Sequence, residues 1–211
     1  MNAYQGPQEG HVYEANIFGD MLEREWEHVN GEHPGYFGAI YALNYNAEQQ
    51  KKDTVVLFPA HFERFEKRIP GFLRIVEEVT GVVRKANGGV NIPQPKVVSL
   101  VRQYFGSSAE FGNHKDHYIR GDGEDMNNTY DAVGICCVRM TGEPTGLWQC
   151  LSNGAEEPSN GEEGITCMYK TVGDVVTFNG GFWHRTVSKQ TVEFTALKVV
   201  CFYEFEQSRN V

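Results

Sequence analysis

Apolar positions follow two periodicities along the chain, and the change from one to the other falls near residue 96. Over residues 16–29, Ile17, Met21, Leu22, Trp26 and Val29 recur close to helical spacing among charged residues, which predicts one amphipathic helix. Its aromatic and aliphatic stripe reads as core and not as a cofactor box. Residues 35–58 hold extended candidates, YFGAIYALNYN and then DTVVLFP, and Pro59 marks a break. Residues 61–87 return to helical spacing in FERFEKRI and FLRIVEEVTGVVRKA, with an interruption or kink at Pro70-Gly71. Asn87-Gly88-Gly89 makes a turn, and Pro93 and Pro95 lead into a strand that begins near Val97.

From there the pattern is that of short strands with regular turn signals. Val98, Leu100, Arg102 and Tyr104 share one face by alternation; residues 132–140, 146–151, 165–170 and 174–178 follow, and 194–205, FTALKVVCFYEF, is the last strong strand. Residues 120–131, RGDGEDMNNTYD, are expected to be a surface loop beside the chemistry described below. The acidic SNGAEEPSNGEEG is expected to be an excursion that cannot bury itself. The sum is a β-rich α+β chain, a sandwich or barrel with helices packed outside it. At 211 residues a single domain is expected over 1–211, with 1–96 as helical and strand support and 97–205 as the β core. The 13 Phe, 10 Tyr and 3 Trp suit such a core.

A formal charge of −9 gives little long-range attraction to phosphate backbones and disfavours nucleic acid as a partner. Lys51, Lys52, Arg64, Lys67, Arg68, Arg74, Arg84 and Lys85 offer the material for a local basic patch, but the plainer reading is a solvated helix face. No apolar run approaches a membrane span, and the N-terminal stretch lacks the basic start and apolar centre of a signal peptide. Five cysteines without framework spacing point to free thiols in a reducing compartment, so a cytoplasmic, or cytoplasmic and nuclear, location is expected. Cys136-Cys137, inside VGICCVRM, reads as buried strand.

The candidate chemistry lies in two stretches. The first, VVSLVRQYFGSSAEFGNHKD, ends in His114-Lys115-Asp116, at the end of what reads as a strand; the second, GDVVTFNGGFWHRTV, places His184 at the end of the strand-like run 174–178. Residues i and i+2 of an extended segment point to one side, so His114 and Asp116 can reach one metal. Two imidazoles and one carboxylate are the ligand set of a facial triad for non-haem Fe(II). A His-x-Asp pair alone is a weak motif. Its setting adds to it, because Tyr104 and Gly106 precede the pair and a Gly-Asp strand precedes His184. His117 is expected to face away and not to be a ligand.

On these residues the chain resembles the Fe(II)/2-oxoglutarate-dependent dioxygenase superfamily, in particular its prolyl-hydroxylase-like branch, over about half its length (97–205). The resemblance implies a double-stranded β-helix (jelly-roll, cupin-like) core with flanking N-terminal helices. It implies that His114, Asp116 and His184 are the catalytic metal ligands. It implies Fe(II), 2-oxoglutarate and O2 as reactants, with ascorbate a candidate addition. Decarboxylation of the cosubstrate to succinate and CO2 is then coupled to oxidation of the substrate. Tyr104 matches a tyrosine that hydrogen-bonds the far carboxylate of the cosubstrate.

The chain departs from the pattern at the basic anchor of that carboxylate, since the usual interval after the distal histidine lands on Glu193 and Phe194. Lys198, on the final strand, is the first candidate, with Glu204 or another protein carboxylate as its alternative partner. Arg102 is the second, on the expectation that it faces inward beside Tyr104; its plainer reading is a structural salt bridge. Arg185 is expected to point away. The charge tilts the substrate towards a small molecule or a protein side chain. Rings such as Tyr104, Phe105, Phe111, Tyr118, Trp148, Phe182 and Trp183 keep open a nucleobase-oxidising enzyme of the same superfamily, although the plainer reading of most of them is barrel core. An enzyme using a different cosubstrate, a catalytically silent cupin-like binding module and a Zn(II) hydrolytic site also stand as alternatives.

Overall fold

The computed structural model describes residues 11–29, 41–42, 52–89, 91–105, 113–117, 128–141, 147–152, 165–169, 172–188 and 194–205. Three helices come early: α1 (His11–Val29), α2 (Pro59–Arg68) and α3 (Phe72–Ala86). The helix expected over 16–29 thus begins five residues sooner. Pro59 opens α2, where its missing N–H costs nothing because the first turn has no intrahelical acceptor for it. The expected interruption at Pro70-Gly71 separates two helices. Glu66 spans it, its carboxylate accepting from Gly71 N at 3.0 Å and Leu73 N at 2.8 Å. An anionic acceptor there satisfies amides at the start of α3 and sits at the favourable end of its dipole.

Nine strands make two antiparallel sheets among the described residues. The larger has the order β1 (Tyr41–Ala42), β2 (Lys52–Leu57), β3 (Val97–Phe105), β9 (Phe194–Tyr203), β4 (Ala132–Met140), β7 (Val175–Phe178); the smaller runs β6 (Ile165–Tyr169), β5 (Leu147–Ser152), β8 (Trp183–Ser188). Only two residues of the extended stretch expected at YFGAIYALNYN appear as strand, and the remainder of it lies outside the described residues.

Both faces of the larger sheet are covered, and alternation sorts its side chains between them. Val98 and Leu100 of β3, with Leu197, Val199, Cys201 and Tyr203 of β9, pack under the helices against Phe18, Leu22, Trp26, Phe65, Phe72 and Val79. Val101, Val133, Ile135, Val176, Phe178, Ala196 and Val200 form a second cluster on the opposite face. Gly134 of β4 lets α3 come close, because a Cβ there would lie 2.5 Å from Val79 Cγ1 and 2.8 Å from Val83 Cγ2. Arg139 at the end of β4 pairs with Asp20 and, at 3.4 Å, with Glu23, tying α1 to the same strand. Cys136, Cys137 and Cys201 are buried free thiols, as the apolar run around the first two predicts. Burial pushes the thiols of Cys137 and Cys201 up to about 12.

One element differs from the sequence reading in a way that matters for the site. His184 does not close the strand at 174–178. The chain turns at Asn179, whose carbonyl accepts from Phe182 N at 3.0 Å and whose Oδ1 accepts from Gly181 N at 2.8 Å. It then enters β8, in the other sheet, so β7 and His184 belong to different sheets.

Candidate metal centre

The histidine and carboxylate come together through backbone ladders between three segments. His114 and His184 form an antiparallel bridge, His114 N donating to His184 O at 3.0 Å and His184 N to His114 O at 2.8 Å. Asp116 N donates to Gly180 O at 3.0 Å, while Tyr130 N donates to Asp116 O at 3.2 Å and Gly180 N to Tyr130 O at 3.1 Å. Gly180 permits this lacing, since a Cβ on it would lie 2.6 Å from the Tyr130 carbonyl oxygen. The His-x-Asp segment is therefore no continuation of β3. It is a short extended piece fixed by single bridges, with His117 bridging Thr129 at its far end.

The extended spacing still does what it predicts. One ligand atom each from His114, Asp116 and His184 lies within 4.8 Å of the others. His184 is buried at 3% exposure, whereas His114 and Asp116 are half-buried, so the group opens on one side. The His114 and His184 rings stand 4.2 Å apart at 53°, and the Phe178 ring lies 4.6 Å from that of His184. Interleaved residues point elsewhere: Lys115 Nζ sits 5.0 Å from the centroid of the Trp183 ring, and His117 is exposed and outside the cluster.

The proton placement on His184 decides what the cluster can hold. Its Nδ1 lies 2.9 Å from the Phe182 carbonyl, which can only accept, so Nδ1 carries the hydrogen. In the neutral ring Nε2 then presents a lone pair, and it faces Asp116 Oδ2 at 3.2 Å. Two acceptors at that distance repel unless a cation lies between them, either a second imidazole proton or a metal. An octahedral ion with bonds of about 2.1 Å places neighbouring ligand atoms about 3 Å apart. The pair thus has the spacing that two ligands on one ion would have, and the hydrogen bond to the Phe182 carbonyl fixes the orientation of the His184 ring.

On the same side as this cluster lies a buried lysine. Lys198 of β9 is 2% exposed and donates from Nζ to Gln103 Oε1 at 2.9 Å and to Thr186 Oγ1 at 3.2 Å. It spans the two sheets, because Gln103 is on β3 and Thr186 on β8. Thr186 is two residues beyond His184, hence on the same face and about 7 Å further along the strand.

Arg102 is corrected from the inward orientation expected of it. Its guanidinium lies 5.1 Å from the centroid of the Trp26 ring of α1, on the helix-covered face. The register pairs Val101, not Arg102, with Lys198, so the odd-numbered positions of β3 share the face of the lysine. Tyr104 pairs through its backbone with Thr195, and its side chain lies outside the described residues, as do Phe105, Phe111, Tyr118, Trp148 and the acidic loop. Glu204, the expected alternative partner of Lys198, is bound to Lys96 at 2.8 Å. Gln103 and Thr186 were not singled out by the sequence; the signal that finds them is the strand register, which only the pairing supplies.

No protein-family model and no curated protein matches the sequence. Solved structures match the fold. A prolyl-4-hydroxylase from Pseudomonas putida superposes with a TM-score of 0.54 at 10% identity, over 96% of this chain and 91% of that one. HygX from Streptomyces hygroscopicus, a structure with nickel and 2-oxoglutarate bound, gives 0.54 at 13% identity over 93% and 81%. SnoK, a non-heme alpha-ketoglutarate-dependent carbocyclase of nogalamycin biosynthesis, gives 0.53 at 11% identity over 95% and 79%. At these identities the likeness is one of fold, and it spans nearly the whole of this chain.

Proposed function

We propose that this protein is an Fe(II)- and 2-oxoglutarate-dependent oxygenase acting on a small molecule or a protein side chain. We further read its two sheets as a double-stranded β-helix with the helices on the outer face of the larger one. The observation that carries the reading is the apposition of His184 Nε2 and Asp116 Oδ2 at 3.2 Å with the Nδ1 hydrogen committed to Phe182, beside His114. That donor set suits a divalent ion held on one face, with its other positions open to ligands. When bound there, Fe(II) with 2-oxoglutarate supplies the oxidising power, drawn from O2 as the cosubstrate loses CO2.

The chain's own residues account for binding and orientation. His114, Asp116 and His184 are the proposed metal ligands, and the His114–His184 bridge fixes the distance between their backbones. Lys198 is the proposed anchor for the far carboxylate. What supports it is its burial at 2% exposure and its hydrogen bond to Thr186, two residues beyond His184 on β8. The interval of about 7 Å along β8 suits a short dicarboxylate reaching from the metal ligands to the lysine. Sharing their fold with oxygenases whose structures or names carry 2-oxoglutarate adds to this reading.

The test is succinate formation from 2-oxoglutarate with Fe(II) and ascorbate in air, without added substrate. Slow turnover that vanishes in the His184→Ala protein is the expected result. Turnover equal in the wild type and His184→Ala would sink the metal assignment, and no succinate from metal-loaded wild type under any cosubstrate concentration would sink the choice of 2-oxoglutarate.

A further inference from the structure

We infer that Lys115, the residue between His114 and Asp116, is a positioning residue for the metal, clipping the His-x-Asp segment to β8 through the ring of Trp183. The inference rests on the metal reading above and adds to it a residue that touches no ion. The proposed ligands come from two elements: His184 from β8, which pairs with β5 along its length, and His114 and Asp116 from the short segment 113–117 held by single bridges. The backbone ladder between the two is interrupted. Continued regularly past the His114–His184 bridge, it would bring Asp116 N to the Phe182 carbonyl. Asp116 N donates to Gly180 O at 3.0 Å instead, and the Phe182 carbonyl takes the ring hydrogen of His184 at 2.9 Å. Lys115 and Trp183 face each other at that break, both half-buried, with the lysine Nζ 5.0 Å from the centroid of the indole ring, within the range of a cation–π contact.

A cation held over an indole joins the same two elements that an ion at the candidate centre would join. Such an ion must find its three ligands at one spacing, and the apparent affinity scales with the fraction of molecules in which the segment lies against β8. The clip acts on that fraction from outside the centre. Alternation turns Lys115 and Trp183 away from the ligand side chains, so neither takes a coordination position. Charge acts in the opposite sense. A lysine between two ligands repels a divalent cation, so by Coulomb's law alone its loss tightens metal binding. Loss of the clip weakens it, and the two effects are told apart by sign.

The experiment is calorimetric titration of the metal-free protein with Ni(II), which reads affinity without turnover. Lys115→Gln should bind about 2- to 5-fold more weakly than wild type, the factor that a cation over a ring contributes to an equilibrium. Lys115→Arg keeps a cation over the ring and should bind as wild type does. Made in a Trp183→Leu protein, Lys115→Gln should no longer weaken binding, because the ring it acts through is gone. The melting temperature of each metal-free variant reports folding separately, and Lys115→Ala carries the test should Lys115→Gln fail to fold. Binding by Lys115→Gln as tight as wild type, or tighter, overturns the clip and leaves the metal reading standing. So does a loss in Lys115→Arg equal to that in Lys115→Gln, or a loss that is the same with and without Trp183. A wild type that binds no Ni(II) overturns the metal reading itself, and this inference with it.

Discussion

At the scale of single residues, the proposed metal assignment turns on one close pair. His184 Nε2 and Asp116 Oδ2 face each other at 3.2 Å while Nδ1 donates to Phe182. Asp116→Asn lets an amide donate to Nε2 in place of the repulsion. The metal-free protein should then be unchanged or more stable by about 0.5–1.5 kcal/mol, read from thermal melts in EDTA. Its Fe(II) affinity should drop by more than about 100-fold, beyond the usual cost of losing an outer-sphere partner. A large fall in metal-free stability would mean that the pair is an ordinary ion pair with a doubly protonated imidazole. The two basic candidates separate just as clearly. Lys198→Met should raise the 2-oxoglutarate requirement strongly and leave Fe(II) affinity alone. Arg102→Ala should leave that requirement alone and lower stability by about 0.5–1 kcal/mol, the worth of a cation over an aromatic ring. Equal effects of the two on cosubstrate binding would contradict the assignment of opposite faces.

At the scale of elements, the limits of the sequence become physical. The clustering of His114, Asp116 and His184 was legible because it is carried by residue type and an i, i+2 spacing that any extended segment honours. The inward face of β3 was not. Helices cover one side of the larger sheet and the second cluster lies on the other, so Leu100 and Val101 are both buried and alternation labels neither face as the pocket. Arg102 and Gln103 could be told apart only by the register of β3 on β9. The strand at β8 was missed for a related reason: WHRTVS has no clean apolar alternation, because a buried histidine and a buried threonine face the site. Two predictions belong here. Gly134→Ala pushes a methyl against two stiff valines of α3 and should cost about 1–3 kcal/mol by chemical denaturation. The Cys137 thiol, pushed up to about 12 by burial, should resist alkylation at pH 8 in the folded protein and react once it is unfolded. Its folded value lies above the unfolded one, so the linked stability is complete below about pH 9 and lost as pH rises towards about 12. Rapid alkylation of Cys137 in native protein would contradict the burial.

At the scale of the whole molecule, stability and chemistry lie on opposite faces of one sheet. Under the helices, Phe72 and its neighbours hold the support layer; across the sheet, β8 and the His-x-Asp segment carry the proposed ligands. Phe72→Ala should therefore cost about 3–5 kcal/mol of stability. In protein that still folds, Fe(II) affinity should stay as it was, since α3 packs on the opposite face of the sheet. The division was visible early as the change from helical to strand periodicity near residue 96, although β2 crosses it to pair with β3. No helix of the described residues is long and apolar enough to cross a membrane. The measurement closest to the central claim is equilibrium binding of Fe(II) under argon to wild type and to His184→Ala, with circular dichroism confirming that both are folded. Stoichiometric binding by wild type, abolished in the variant, is the predicted result. Equal binding by both, or none by wild type, would contradict it.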